Sequence, residues 1–559
     1  MTRVRLHAGV TMPQICLFAG AAMALVNANV FQGEIRSPAA VNRKLGPKAK
    51  QGLKAAVQDA LRGEKRTQQS KEHLASLLEA LRPAFLAAPK NEYLNLDQAA
   101  VCVVLHRLFM QRYGWSISGL KQANSVTALG DVLQGQVPLY ILGLFEEELG
   151  GRGFSLHDVG VAAAMLENLI NSEARERLHI FYKMYHIPLQ LDLHVEEVDY
   201  IIEMCVSSCI LGLDLNQMSR QQFLKESENI AQMYPSWHQV QGFVHDVRVD
   251  VAPNRTTLTF TEVLRVIQEI LRSLGRLHSR HCQAMKSKLI GLEEDTVGCV
   301  HLSNFQRRGT TSVGQWLFNE RDSYLREQGA LDETDPKRQY VIVPNYMGAP
   351  SNCISPSSYY SVCCRDECME IMSSLERELR MPTAAPRTLA KLVTALPSSS
   401  KATNRTLPPV LLHRLDLLGQ HYEGLVPLSS PLFAQWLHHA YPRKCPDVSD
   451  LLPKALPPST SPRSAVVQGE IASRSSALLG ARCLPPRGDD VIMTPREKSV
   501  GHSESGRVKW AICSFIAFFA ACASFALILR QQSRHITSVM LIVLQSWTLQ
   551  KSGNAKSDV

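Results

Sequence analysis

Apolar positions recur at helical spacing along most of the chain between residues 73 and 441. Val101, Leu105, Leu108 and Phe109 share one face, Arg112 follows, and Gly114 suits the helix stop. Pro138 opens a second helix that runs through Phe145 to Gly150-Gly151. Ser155 with Asp158 reads as a capping box for a long helix through Leu166, Ile170 and Leu178 to Tyr185, with Pro188 as its breaker. A further helix is expected from about His194 to Leu211. Ser219 with Gln222 starts the next, and Thr261 to about Leu292 reads as one long helix or two joined at Gly275. Helical patterns return at about 386–396, 408–421 and 429–441. The best strand signal is Tyr340–Val343, ended by Pro344. The expected fold is therefore mainly α. No internal repeat of fixed period stands out.

Two apolar runs break this pattern. Ile15–Val26 follows Arg3 and Arg5, and Val26 and Ala28 suit the −3 and −1 positions of a cleavage site, the layout of a signal peptide over 1–28. Trp510–Leu529 is free of charge and long enough for one transmembrane helix, with Arg507, Lys509, Arg530 and Arg534 flanking it. The chain then divides into a basic polar arm (29–72), an α-helical body (73–345) and a cysteine-containing helical module (346–446). A disordered Pro/Ser-rich stalk (447–509), the span (510–529) and a tail (530–559) follow. The tail carries the short apolar run Ile536–Leu549.

Charge changes the reading of partners. The chain of 559 residues has 60 Lys+Arg and 51 Asp+Glu, a net of +9. The positive excess lies in the N-terminal arm, the stalk and the tail, while residues 91–441 are net acidic. A nucleic-acid binder concentrates positive charge on a folded domain, so no nucleic-acid partner is expected. The expected partners are a membrane and a protein or glycan met by a lumenal or extracellular ectodomain.

The chain holds 14 Cys. Cys16 lies in the signal run, and Cys513 and Cys522 lie in the span. Cys102, Cys205, Cys209, Cys282 and Cys299 are scattered on helical patterns. Cys205 and Cys209 share one helix face and read as buried thiols or as partners of neighbouring helices. The dense group is Cys353, Cys363, Cys364, Cys368 and, further on, Cys445, spaced C-x9-C-C-x3-C before the last. In an oxidising compartment this is a disulfide framework, in which adjacent Cys363 and Cys364 reach different partners. Five is odd, so one thiol stays free or pairs elsewhere, for instance with Cys483. A zinc reading would add His413, His421, His438 or His439 near Cys445, but Cys364 and Cys368 supply only half a site.

Leu292–Phe305 echoes an EF-hand loop. Glu293 falls at loop position 1, Asp295 at 3, Gly298 at 6 and Val300 at 8. Val297, His301 and Asn304 occupy positions 5, 9 and 12, where calcium needs oxygens. The loop reads equally as a degenerate EF-hand-like fold or as a plain turn between helices, with Glu293 and Asp295 as weak calcium candidates. Arg177–Val206 has a similar helix–loop–helix shape without loop ligands. Asn254 and Asn404 each begin an Asn-Arg-Thr acceptor for glycosylation. No P-loop, GxSxG elbow, HExxH or dinucleotide fingerprint occurs, so no catalytic or cofactor-binding residue is assigned.

Several stretches carry a resemblance: LRPAFLAAPKNEYLNL (81–96), LHRLFMQRYGW (105–115), GGRGFSLHDVGVAAAMLENLI (150–170), PSNCISPSSYYSVCCRDEC (350–368) and PLFAQWLHHAYPRKCP (431–446). With these the chain resembles a large family of dinoflagellate secretory and membrane proteins with no established activity. The family's last motif usually reads Arg-Glu-Cys-Pro, and Lys444 departs from it. The stalk and tail also differ from the family's usual continuation. The resemblance implies that Cys353, Cys363, Cys364, Cys368 and Cys445 form one recurring structural module, and it carries over no catalytic role. The leading expectation is a membrane-anchored, non-enzymatic ectodomain for recognition, adhesion or scaffolding. The alternatives are a calcium-responsive module at 293–304 and an enzyme using Cys445 or a zinc ion near His438.

Overall fold

The computed structural model describes residues 45–63, 67–120, 136–228, 230–234, 237–308, 318, 320–396, 406–449 and 483. The signal run, the span at 510–529, the tail, most of the stalk, Asn404, Cys16, Cys513 and Cys522 lie outside them. Among the described residues no helix is long and apolar enough to cross a membrane.

The protein is mainly helical. The helices are α1 (Pro47–Arg62), α2 (Gln68–Ala87), α3 (Gln98–Tyr113), α4 (Val137–Glu148), α5 (Leu156–Met184), α6 (Val195–Ile210), α7 (Arg220–Ser227), α8 (Ile230–Met233) and α9 (Trp237–Val251). They continue with α10 (Phe260–Ile290), α11 (Leu302–Arg308), α12 (Asp322–Glu327), α13 (Val343–Met347), α14 (Glu367–Leu379), α15 (Pro386–Ala395), α16 (Pro409–His421) and α17 (Pro431–Ala440). The strands are short: β1 (Trp115–Ile117), β2 (Leu193–His194), β3 (Thr257–Leu258), β4 (Cys299–His301), β5 (Leu331–Asp335), β6 (Arg338–Ile342), β7 (Tyr360–Val362), β8 (Thr383–Ala384) and β9 (Val426–Pro427).

Among the described residues one arrangement recurs four times. Two helix–loop–helix units lie side by side and join through antiparallel backbone pairing of their loops. Leu96 exchanges both backbone hydrogen bonds with Phe154, at 3.0 and 2.8 Å, which pairs the α2–α3 loop with the α4–α5 loop. Leu193 pairs with Leu258, between the α5–α6 and α9–α10 loops. Val300 pairs with Val341, between the loop after α10 and the turn into α13. Ala384 pairs with Val426, between the α14–α15 and α16–α17 loops. Helices α5 and α10 each leave one pair and enter the next, which is why they reach 29 and 31 residues.

The local cause is a two-residue signal. An apolar residue extends to make the bridge, the next residue caps, and the helix begins. Leu96-Asp97, Phe154-Ser155, Leu193-His194 and Leu258-Thr259 all follow this order. Asp97 accepts from the amide of Ala100 at 2.7 Å, and Ser155 and Thr259 form capping boxes with Asp158 and Glu262. All five non-glycine residues with positive φ among the described residues also lie in these loops: Leu94, His186, Asn254, Arg380 and Glu423.

The packing shows why Gly275 sits inside one continuous helix and is not a joint. Helix α10 crosses the end of α3 so closely that the Cα of Gly275 packs on the Tyr113–Gly114 backbone. Around this crossing, the largest core takes side chains from α1 to α10 and also Ile354, Tyr360 and Val362. A second core is built from 368–445 together with Ala87 of α2, and a third joins the end of α10 to the β4–β6–β5 sheet. The segment 353–364 therefore packs with the body, although its cysteines group it with the module in the sequence. Strand β7 in that segment pairs with β1, Trp115 opposite Val362.

The basic arm also differs from its polar appearance. Val57 of α1 is fully buried, and Lys54 and Gln58 reach Glu147 at 2.6 Å and Glu148 at 2.9 Å on α4. The arm's second helix, α2, runs unbroken through the expected boundary at 72 and 73.

Candidate functional site

The cysteine-rich segment lies where the body meets the module, and it takes part in three of the four disulfides among the described residues, of which Cys282–Cys364 joins module to body. Cys353 and Cys363 close a short loop, with Cα atoms 4.2 Å apart. Cys364 turns the other way and bonds Cys282 of α10, at a Cα separation of 5.6 Å. Cys368, in the first turn of α14, bonds Cys445 beyond α17 at 4.6 Å. Cys483 bonds Cys299 of β4 at 6.0 Å. Adjacent Cys363 and Cys364 thus do reach different partners. The odd thiol of the dense group is Cys364, and its partner is Cys282, not Cys483. Cys282 and Cys299 were expected only as scattered helix residues. Their spacing held no signal, because each meets a partner far away in the chain.

Cys483 falls inside the expected stalk, yet it is buried beside Tyr340 and Ile342. Asp447 at the start of that stretch is buried as well. The chain after the module is therefore tied to the body in two places.

Cys102, Cys205 and Cys209 are free and buried. Burial pushes the Cys102 thiol up to about 11, and raises Cys205 and Cys209 too. Such thiols are held protonated and make poor nucleophiles.

The segment 353–364 is held from below by a partly buried polar pair on α5. Glu173 accepts from the Ser357 hydroxyl and from the Ser358 amide at 3.1 Å. Arg177 donates to the carbonyl of Pro356 at 3.0 Å and to Ser208 at 3.2 Å. Burial raises the Glu173 carboxyl, while Arg177 and the serine contacts oppose that rise.

The expected calcium candidates are not brought together. Glu293 is turned inward, with a side chain 6% exposed. Arg443 donates to it from Nε at 2.9 Å and from Nη2 at 2.6 Å, and the Gly298 amide adds a third bond at 3.0 Å. Asp295 is exposed. Gly298 has φ +83°, and a Cβ there would meet the Pro442 carbonyl at 2.2 Å. This loop is a seat for Pro442 and Arg443, the last turn of the module.

Cys445 is committed to its disulfide, so it serves neither as nucleophile nor as zinc ligand beside His438. Cys364 and Cys368 belong to different disulfides, which dissolves the expected zinc half-site. His438 is buried, and its Nδ1 lies 2.8 Å from the carbonyl of Cys445. Asp447 accepts from Gln435 at 2.8 Å, and its backbone exchanges bonds with Asn345 at 2.8 Å each way. These groups lock the end of the module to the body. His413 and His421 are exposed on α16.

Asn254 is exposed in the α9–α10 loop. Other loops of the paired units present apolar side chains to solvent. Tyr93 and Leu94 are 53% and 76% exposed, and Leu189, Leu191, Met381 and Leu425 are also exposed. No known protein family, curated protein or solved structure matches the chain.

Proposed function

We propose that this is a membrane-anchored protein of the secretory pathway whose helical ectodomain serves recognition or scaffolding without catalysis. The observation that carries the reading is the set of four disulfides, one closing a loop, one inside the module, one from body to module and one from body to Cys483. Such a framework belongs to an oxidising compartment. The signal peptide over 1–28 and the span over 510–529 supply the matching route and anchor. Asn254, exposed in its loop, is then open to glycosylation.

The body is an EF-hand-like array that has exchanged ions for contacts between its own parts. Paired loops joined by an antiparallel bridge, each followed by a capped helix, support this reading. In place of loop oxygens the array has the Arg443 clamp on Glu293 and exposed loop tips such as Tyr93-Leu94. Those tips are the surface offered to a protein or glycan partner.

Expression in a secreting cell, followed by non-reducing digestion and mass spectrometry, tests the reading. The expected result is the four pairings given above, together with a glycosidase-sensitive mass shift that Asn254→Gln removes. Free thiols at 353–368 in native protein, with Asn254 unmodified, would overturn it.

A further inference from the structure

The Cys282–Cys364 disulfide has a neighbour that no part of the reading above uses. His278 lies one turn before Cys282 on the same face of α10. One ligand atom each from His278, Cys282 and Cys364 lie within 4.8 Å of one another, and the group is buried. The Nε2 of His278 lies 2.8 Å from the carbonyl oxygen of Asn352. That carbonyl can only accept, so Nε2 carries the proton and Nδ1 keeps a lone pair. Nδ1 is buried and has no hydrogen-bond partner. A buried nitrogen acceptor left unpaired costs roughly 1–3 kcal/mol, so its retention calls for a reason.

The arrangement has the features of a thiophilic metal site. A metal-bound imidazole usually donates its other N–H to a carbonyl or carboxylate, which fixes the ring, as Asn352 does here. Burial also lowers the His278 pKa, which favours the neutral ring that binds metal. The Cα atoms of the two cysteines are 5.6 Å apart. Two thiolates at zinc–sulfur distances of about 2.3 Å in tetrahedral geometry sit about 3.7 Å apart, a spread that side-chain rotation can supply.

We propose that reduction of Cys282–Cys364 opens a zinc site formed by His278 Nδ1 and the two thiolates. The electron count closes with a dithiol reductant. One of its thiolates attacks the protein disulfide to give a mixed disulfide, and its second thiolate resolves that bond. The reductant leaves as a cyclic disulfide and the protein holds two thiols. Zinc then replaces the two thiol protons, which pass to solvent, and takes the Nδ1 lone pair. The fourth position is left for water. Either state ties α10 to the 363–364 segment, so the metal replaces the covalent staple when the staple is reduced. The site differs from the expected zinc site near Cys445 and does not rest on the membrane reading.

The test uses the full chain, reduced with a phosphine and then treated with or without equimolar zinc. A pulse of N-ethylmaleimide and peptide mass spectrometry then read each thiol. Zinc should slow alkylation of Cys282 and Cys364 at least tenfold and leave Cys353, Cys363, Cys368 and Cys445 unprotected. Cobalt in place of zinc should give thiolate charge-transfer and tetrahedral bands. His278→Gln should lose at least tenfold in zinc affinity while still forming the Cys282–Cys364 bond when oxidised. Equal alkylation with and without zinc would overturn the proposal. Undiminished protection in His278→Gln, or loss of helical circular dichroism on reduction with zinc present, would do so too.

Discussion

Arg443 reaches Glu293 across 150 positions of sequence and holds it with Nε and Nη2 at 2.9 and 2.6 Å. A carboxylate expected to face an ion instead faces a guanidinium. The α10 loop is thereby occupied by the protein's own chain. Calorimetry of the full chain should show no calcium heat that Glu293→Gln removes. Arg443→Ala should leave the buried carboxylate short of two charge-assisted bonds and cost roughly 2 kcal/mol in urea unfolding. A calcium heat lost in Glu293→Gln would reverse this account.

Gly275 is a second place where a contact between elements fixes the residue. In an ordinary helix, Gly→Ala stabilises by about 1 kcal/mol. Here the added Cβ would lie 1.9 Å from the Tyr113 carbonyl oxygen, a backbone atom with no rotamer to change. Gly275→Ala should therefore destabilise by about 3 kcal/mol, the cost of forcing two packed helices apart. The opposite sign in thermal unfolding would show that the α3–α10 crossing is looser than described.

Leu94 adopts φ +60° and is 76% exposed, so it carries left-handed strain without compensating burial. Leu94→Gly should raise stability by about 1 kcal/mol. If this loop tip is a recognition surface, the same change should weaken capture of the partner. A loss of stability in the variant would mean that Leu94 supports the fold itself.

Burial raises the carboxyls of Glu173, Glu293 and Glu376. A raised folded-state pKa means that the native protein holds the proton more tightly than the unfolded chain. Stability from these groups is then greatest in acid and declines as pH rises from the ordinary carboxylate value, about 4.3, through the higher folded value. Glu376 is also paired with Arg107, which opposes the rise. Unfolding free energies from pH 4 to 7 should show wild type losing ground to Glu376→Gln as pH increases. A difference independent of pH would contradict the raised value.

Much of the local structure could be read from the chain. Pro138, Ser155 with Asp158, Ser219 with Gln222 and Gly114 act within one helical turn, so their neighbours suffice to place helix ends. The repeat was not readable, because its marker is one apolar residue and one cap, as in Leu96-Asp97 and Leu258-Thr259. Insertions such as α7 and α8 also break any fixed period. Many sequences hold such a pair without forming a bridge.

The sequence by itself determined the helical class, the capped helix starts and the density of cysteines around 353–368. Each depends on residues within a few positions of one another. Tertiary structure alone decided that Cys364 meets Cys282, that Cys483 returns to Cys299, that Glu293 serves Arg443 and that Gly275 admits Tyr113. Those outcomes depend on how α10 crosses the rest of the molecule. A long-range meeting is set by the summed packing of whole elements, and no spacing between the two residues records it.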